Sequence, residues 1–188
     1  MKRGLNDYRV EGDVAYLALT NRAGAVVGEV MVDTAALPRL EAHGRRWCRH
    51  NQGYAYHLIR QRGAPTRAVM LHRFLLDCPA ELHADHINGD KLDNRLTNLR
   101  TCTNTENQWN RSVRRSSATG LKGVRRNGQK WMAQIKCQGE THHLGTFPTP
   151  EAAARAYDAA ALRLHGEFAV LNYPPAPATL PAPLERPA

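Results

Sequence analysis

The feature that most constrains this chain is the run of turn formers between two short stretches, Leu82 to His86 and Leu99 to Cys102. Asn88-Gly89-Asp90 and Asp93-Asn94 interrupt any regular element, so the backbone must pass through an ordered loop between them. The flanking stretches are short and predict two strands. Thr103, with Glu106 three residues later, predicts a capping box and a helix opening at that point. The order is therefore strand, loop, strand, helix. It collects Asp85, His86, Asn98 and Asn107, with 12 positions from His86 to Asn98 and 9 from Asn98 to Asn107. Asn107 falls in the first turns of the helix, facing back to the strand that carries Asp85 and His86.

These residue types suit one chemistry. A hard divalent cation such as Mg²⁺ takes oxygen ligands and keeps several waters. Asp85 offers a carboxylate oxygen and Asn107 an amide oxygen, which leaves room for water and a phosphate oxygen. A neutral imidazole at His86 can take a proton from an attacking water. Together they outline a one-metal site for phosphodiester hydrolysis. Plainer roles exist for each residue alone: a structural Asp-His pair, and Asn residues serving as turns and caps. A zinc site from Cys78, His83, His86 and Cys102 lacks the usual CxxC or HxxxH pairing. His72 fits a buried scaffold histidine better than a ligand.

The stretch resembles the HNH nuclease motif, the ββα-metal finger, in its homing-endonuclease branch. The resemblance rests on Leu71-His72-Arg73, on DHINGD at 85–90, on LDNRLTNLR at 92–100 and on TEN at 105–107. It implies that Asp85 and Asn107 hold the metal, that His86 is the general base, and that Asn98 holds the loop and orients the base. The implied cofactor is Mg²⁺, with Mn²⁺ as an alternative. The last position of the motif is Asn107 rather than His, which changes the ligand type and keeps a ligand.

Charge is distributed in a way that fits this chemistry. The formal net charge is +9. Residues 1–70 hold 11 Lys and Arg against 6 Asp and Glu, whereas residues 71–110 hold 4 against 6. Residues 111–147 hold 8 against 1. Basic flanks suit a polyanion and the acidic middle suits a cation. No apolar run is long enough for a membrane span, and the N-terminus lacks the apolar core of a signal peptide. Four scattered cysteines show no disulfide pattern, so reduced thiols and a cytoplasmic setting are expected, in a bacterial host cell if the chain is phage-encoded.

Residues 1–70 predict a β-rich N-terminal module. Val14–Leu19 and Val26–Val32 are strand candidates around an Asn21–Gly24 turn, the second broken at Gly28. Asp33 to Leu40 predicts a short helix or turn with Pro38 near its end, and Gly53–Ile59 another strand. Arg45, Arg46, Arg49 and Arg60 are candidates for backbone phosphates, or for the solvated face of a scaffold.

Residues 115–120 predict a linker after a nuclease motif spanning 71–114, with Arg114 and Arg115 placed to touch DNA. Residues 121–173 predict a meander, Gly123–Arg126, Trp131–Cys137 and His142–Phe147, followed by a helix capped by Thr149 with Pro150 and Glu151 in its first turn. Ala153, Ala156, Tyr157, Ala160 and Leu164 share a helical face for packing on the sheet. The opposite sheet face would carry Arg125, Lys130, Gln134, Lys136 and His143. This unit resembles the APETALA/ethylene-response-type DNA-binding domain, through GVRRNGQKWMAQIKC, LGTFPTPEAAARAYDAAALRLHG and AVLNYP. The resemblance implies DNA contacts at Lys122, Arg125, Lys130, Gln134 and Lys136, and we add the neighbouring Arg126 and His143. Gln134 and His143 replace the usual Glu and Trp, so base preference is not carried over. Residues 174–188 predict a disordered Pro-rich tail.

The expectation is an α+β chain: the β-rich module, the ββα-metal finger, then a three-stranded antiparallel sheet packed on one helix. The function expected is metal-dependent endonuclease action on double-stranded DNA, by a monomer or homodimer with no membrane and no protein partner. A non-catalytic, sequence-specific DNA-binding regulator is the alternative.

Overall fold

A computed structural model of the chain describes residues 4–21, 23–111 and 119–175. The fold is α+β, in two compact units, Met1–Arg111 and Ser112–Ala188. Arg114, Arg115 and residues 176–188 lie outside the described residues.

The first unit begins with β1 (Tyr8–Glu11), β2 (Val14–Thr20) and β3 (Val26–Asp33). β2 alternates buried and half-buried residues along its length, the period of a strand with one face on a core. β3 runs through Gly28 without a break. The irregularity is a register shift between Leu19 and Thr20 that leaves Val27 without a partner, a β-bulge. A helix, α1 (Leu37–His43), follows, with Pro38 in its first turn rather than near its end. Proline is tolerated there because the first helical N–H groups have no intrahelical partner. Gly44, at φ 63°, closes the helix in the left-handed region.

Short β4 (Cys48–Arg49), then β5 (Ala55–Ile59) and β6 (Arg67–Met70) extend the sheet in the order β1-β2-β4-β5-β6, with β3 on the other side of β2. β6 feeds directly into α2 (Leu71–Leu75). One core spans this whole unit. Leu17, Leu19, Val30 and Val32 from the N-terminal strands, and Trp47 just before β4, pack with Leu71, Leu75 and Leu99 from the nuclease motif.

The motif itself is β7 (His83–His86), a loop, β8 (Leu99–Cys102) and α3 (Asn104–Trp109). β7 and β8 pair antiparallel, with Asp85 opposite Arg100 and His86 opposite Leu99. Thr103 caps α3 with the reciprocal capping box to Glu106. The loop docks on the free edge of β3. Met31 N–H donates to the Leu92 carbonyl and Asn94 N–H to the Met31 carbonyl, both at 2.8 Å. The Leu96 N–H donates to Asp33 Oδ2 at 2.7 Å. An edge that would otherwise expose unpaired backbone groups is thereby covered by the loop that carries the motif.

The second unit is β9 (Val124–Asn127), β10 (Lys130–Cys137), β11 (Glu140–Phe147) and α4 (Pro150–His165). The sheet order is β11-β10-β9. Gln138 and Gly139, at φ 51° and 86°, form the two-residue turn between β10 and β11, where positive φ matches the twist of the strands. Thr149 caps α4 by accepting from the Ala152 N–H. Ala153 and Ala154 pack with Val124 and Ala133, and Tyr157, Ala160 and Ala161 with Ile135. Small residues bring helix and sheet close. Gly123, at φ 73°, shows how close: a Cβ there would lie 2.0 Å from Tyr157 Cδ2 and 2.6 Å from the Gln134 carbonyl.

Candidate nuclease site and nucleic-acid face

Asn98 is the hub of the 88–98 loop. Its Oδ1 accepts from the Asn88 N–H at 3.0 Å. Its Nδ2 donates to Asn88 Oδ1 at 2.9 Å and to the Asp93 carbonyl at 2.8 Å. The Asn98 carbonyl also accepts from the Ile87 N–H, one residue after His86. Asn98 therefore fixes where β7 ends. Asp93, fully buried, receives Asn88 Nδ2 and both Nε and Nη2 of Arg95. Arg95 holds its pKa below the usual carboxylate range. Asp90 and Asn88 close smaller turns by accepting backbone N–H groups two residues on.

Asp85 and His86 are neighbours on a strand with different surroundings. The Asp85 Oδ2 accepts from Arg100 Nε and Nη2, each at 3.1 Å, and from Asn110 Nδ2 at 2.8 Å. The cross-strand register puts Arg100 directly opposite. Among the described residues, Asp85 Oδ1 accepts no hydrogen bond. Asn110 Nδ2 also donates to the His86 carbonyl at 3.0 Å, so the end of α3 is pinned to β7 at both residues.

His86 turns toward the N-terminal strands. Its ring centroid lies 5.0 Å from that of His72 and 6.0 Å from that of Tyr54. Burial lowers its pKa, and the Asn94 amide and Asp85, Asp90 and Asp93 pull in the other direction. The Asn94 amide is near enough to act on the ring, yet His86 Nε2 and Asn94 Oδ1 are both buried without a hydrogen bond of good geometry. His72 is buried too, and burial with the neighbouring His86 and Arg73 drives its pKa down to about 3. It is a neutral packing partner of His86, in keeping with the scaffold role.

The structure brings Asp85, His86 and Asn98 onto one frame, but the helix residue that touches Asp85 is Asn110, not Asn107. Asn107 sits one turn earlier, three residues from Asn110, and so shares its face. Its side chain is half-buried and makes no hydrogen bond among the described residues. The donor set fits a hard divalent cation. It offers oxygen donors, the Asp85 carboxylate and the Asn107 amide, which carry an oxygen without a hydrogen bond among the described residues, and leaves the His86 imidazole for proton transfer. No group of three or more His, Cys, Asp or Glu gathers for a metal among the described residues. Cys78 points at the Pro79 and Leu82 carbonyls, and burial pushes the Cys102 thiol up to about 11, away from the thiolate that zinc needs.

Sequence reasoning missed Asn110, Arg100, Asn94 and Tyr54. Asn110 carries a usable signal, its three-residue spacing from Asn107. Tyr54 carries none, because only the tertiary fold brings it to His86. Of the N-terminal arginines, Arg46 lies 3.8 Å from Asp7 and Arg49 donates to the Val27 carbonyl, whereas Arg45 and Arg60 are exposed.

In the second unit, strand register sorts the candidate DNA contacts. Arg125 pairs with Met132, and Gln134 with His143, on the face opposite Ala133 and Ile135. Lys130 and Lys136 share that parity and are exposed. Arg126 pairs with Trp131 and has the other parity; its Nε donates to the Gly128 carbonyl. Lys122 is half-buried, with its backbone held by Asn172, and burial lowers its pKa to about 8. Asn172 is in turn held by Asp158 of α4.

Comparison with known proteins accounts for both units. The HNH endonuclease family matches residues 77–109 and the AP2 domain family matches residues 119–167. An uncharacterized HNH endonuclease of Acanthamoeba polyphaga mimivirus is 30% identical over 175 residues, covering 89% of this chain and 86% of the viral protein. Protein 3.8 of Escherichia phage T7 is 32% identical over 93 residues, 48% of this chain and 76% of that protein. An ethylene-responsive transcription factor of Arabidopsis thaliana is 43% identical over 86 residues, 41% of this chain and 37% of the plant factor. The chain thus spans little more than a third of that plant relative, but most of the viral one. It belongs to the HNH endonuclease family and carries an AP2 domain in its C-terminal unit.

Proposed function

We propose that this chain is a metal-dependent endonuclease of homing type, which cuts double-stranded DNA at sites selected through its C-terminal sheet. The observation that carries the reading is the buried His86 imidazole, whose Nε2 has no hydrogen bond, beside an Asp85 carboxylate whose bonds among the described residues all fall on Oδ2. Burial favours the neutral ring, the form that accepts a proton. His86 takes the proton of a water as its oxygen attacks the scissile phosphorus. The bond from phosphorus to the leaving oxygen breaks, and that oxygen is protonated from solvent. Asp85 and Asn107 would hold the metal, Mg²⁺ or Mn²⁺. When bound, such an ion supplies positive charge to the phosphate oxygens and the leaving group. Asn98 sets the loop geometry that presents His86, and Arg100 and Asn110 orient the Asp85 carboxylate.

The sheet of the second unit supports the DNA-binding half of the reading. Arg125, Lys130, Gln134, Lys136 and His143 form a basic and amide face of the kind that enters a major groove. Lys122 and Arg126, and Arg114 and Arg115 before them, would add phosphate contacts around it.

Asp85→Ala tests the site. Plasmid cleavage should be lost while duplex binding without added metal persists, since a two-ligand site that loses its carboxylate holds the ion poorly. Full cleavage by Asp85→Ala in Mg²⁺ would remove the assignment.

A further inference from the structure

Among the described residues, most arginines of the first unit have a partner. Arg9 bonds Glu29, Arg39 bonds Asp77 and two carbonyls, Arg73 bonds three carbonyls, and Arg95 and Arg100 bond Asp93 and Asp85. The hairpin of β5 and β6 departs from this pattern. Arg60, Arg62 and Arg67 are all exposed, and none forms a hydrogen bond or ion pair with a described residue. The sequence offers them no local acid either, since no Asp or Glu occurs between Glu41 and Asp77.

Both feet of this hairpin stand at His86. Tyr54, immediately before β5, has its ring 6.0 Å from His86, and His72, two residues after β6, has its ring 5.0 Å away. β5 pairs with β6 from Tyr56–Met70 out to Ile59–Arg67. At ~3.3 Å per residue, the arginines at the far end lie roughly 15–20 Å from the base. That exceeds a Debye length of about 8 Å, so the acidic charges of the motif loop are largely screened from them. Along B-DNA, at ~3.4 Å per phosphate on each strand, it corresponds to about five base pairs. A guanidinium with no carboxylate to satisfy keeps its full fork for a phosphate.

We propose that the β5–β6 hairpin is a DNA-backbone grip of the nuclease unit. Arg60, Arg62 and Arg67 bind phosphates roughly half a helical turn from the bond to be cut, through an element of the first unit rather than through the C-terminal sheet. The proposal rests on duplex DNA being the substrate. It gives the nuclease unit its own hold on the duplex and sets a direction for the DNA across His86. The contacts are to the backbone, so they position without reading sequence.

The test uses the full chain, without divalent metal, and a fluorescent random-sequence 30-base-pair duplex, whose affinity is followed against salt. The Arg60→Gln/Arg62→Gln/Arg67→Gln variant should reduce the slope of log K against log[salt] by about 2.7, at ~0.9 per phosphate contact. The Arg60→Lys/Arg62→Lys/Arg67→Lys variant keeps the charge and should retain most of the slope. A glutamine variant that melts like the parent and keeps the parental slope and affinity would overturn the proposal, and so would a lysine variant that loses the slope as fully. Because the readout is binding, a parent that binds but does not cut would count against the nuclease reading and leave this result interpretable.

Discussion

His72, Asp85, His86, Asp93, Asn94 and Asn98 of the nuclease unit are all buried, whereas Arg125, Lys130, Lys136 and His143 of the C-terminal sheet are all exposed. The first group sits on one large core running from Ala15 to Leu99, and the second on a thin core of alanines, Val124, Tyr157 and Ile135. The contrast suits the role proposed for each unit. A proton acceptor must be held at one place and kept neutral, which takes burial and a fixed shell of hydrogen bonds. A group that grips phosphate must stay charged and accessible until DNA arrives, so burying it would only add desolvation cost. The polar residues of the motif are therefore structural, whereas those on the outer face of the C-terminal sheet are nearly neutral to folding.

Acid should separate the two kinds of residue most strongly. His72 has its pKa lowered by burial, so the unfolded chain takes up a proton that the folded chain refuses. Its contribution is fully present above the ordinary value near 6.5 and is lost as pH falls toward about 3. At ~1.4 kcal/mol per pH unit, the loss reaches about 3 kcal/mol by a pH of ~4. Asp93, held low by Arg95, works in the same direction at lower pH. Denaturant midpoints measured across this range should fall steadily, and His72→Asn should flatten the fall. An equally steep fall in His72→Asn would assign the acid sensitivity elsewhere.

Asn98→Ala comes next. It removes three side-chain hydrogen bonds, one buried and two part-buried, and leaves the Asn88 N–H and the Asp93 carbonyl to find new partners. A cost of about 2–4 kcal/mol is expected, read from chemical denaturation. A cost below ~0.5 kcal/mol would mean that the loop is held by β3 and Arg95 alone.

Lys136→Gln should have the smallest effect. Its side chain is exposed on β10, and the change should alter stability by less than ~0.5 kcal/mol while lowering the salt slope of duplex binding by about 0.9. Destabilisation well beyond that would make a residue of the sheet face structural and erase its difference from the buried motif residues.

How much of this could be read before the fold was known depends on how local each signal is. The β8 strand, the Thr103 capping box and the Thr149 cap of α4 are set by residues three or four apart, and sequence spacing located them. The edge of β3 that holds the motif loop pairs Met31 with residues about 60 positions away, and no local pattern announces it. Tyr54 reaches His86 for the same reason. Pro38 starts its helix rather than ending it, since a proline marks a helix start as readily as a stop. Arg126 needed only the alternation along β9 to be set apart from Arg125. Lys122 needed Asn172, 50 residues on, to show that its backbone is anchored.

The most direct test of the account is the single-turnover cleavage rate of His86→Ala at saturating Mg²⁺, measured beside its duplex affinity and its melting curve. The rate should fall by about 10²–10⁴-fold, the usual worth of a positioned base, with affinity close to that of the parent. A well-folded, DNA-binding His86→Ala protein that cuts at the parental rate would contradict it.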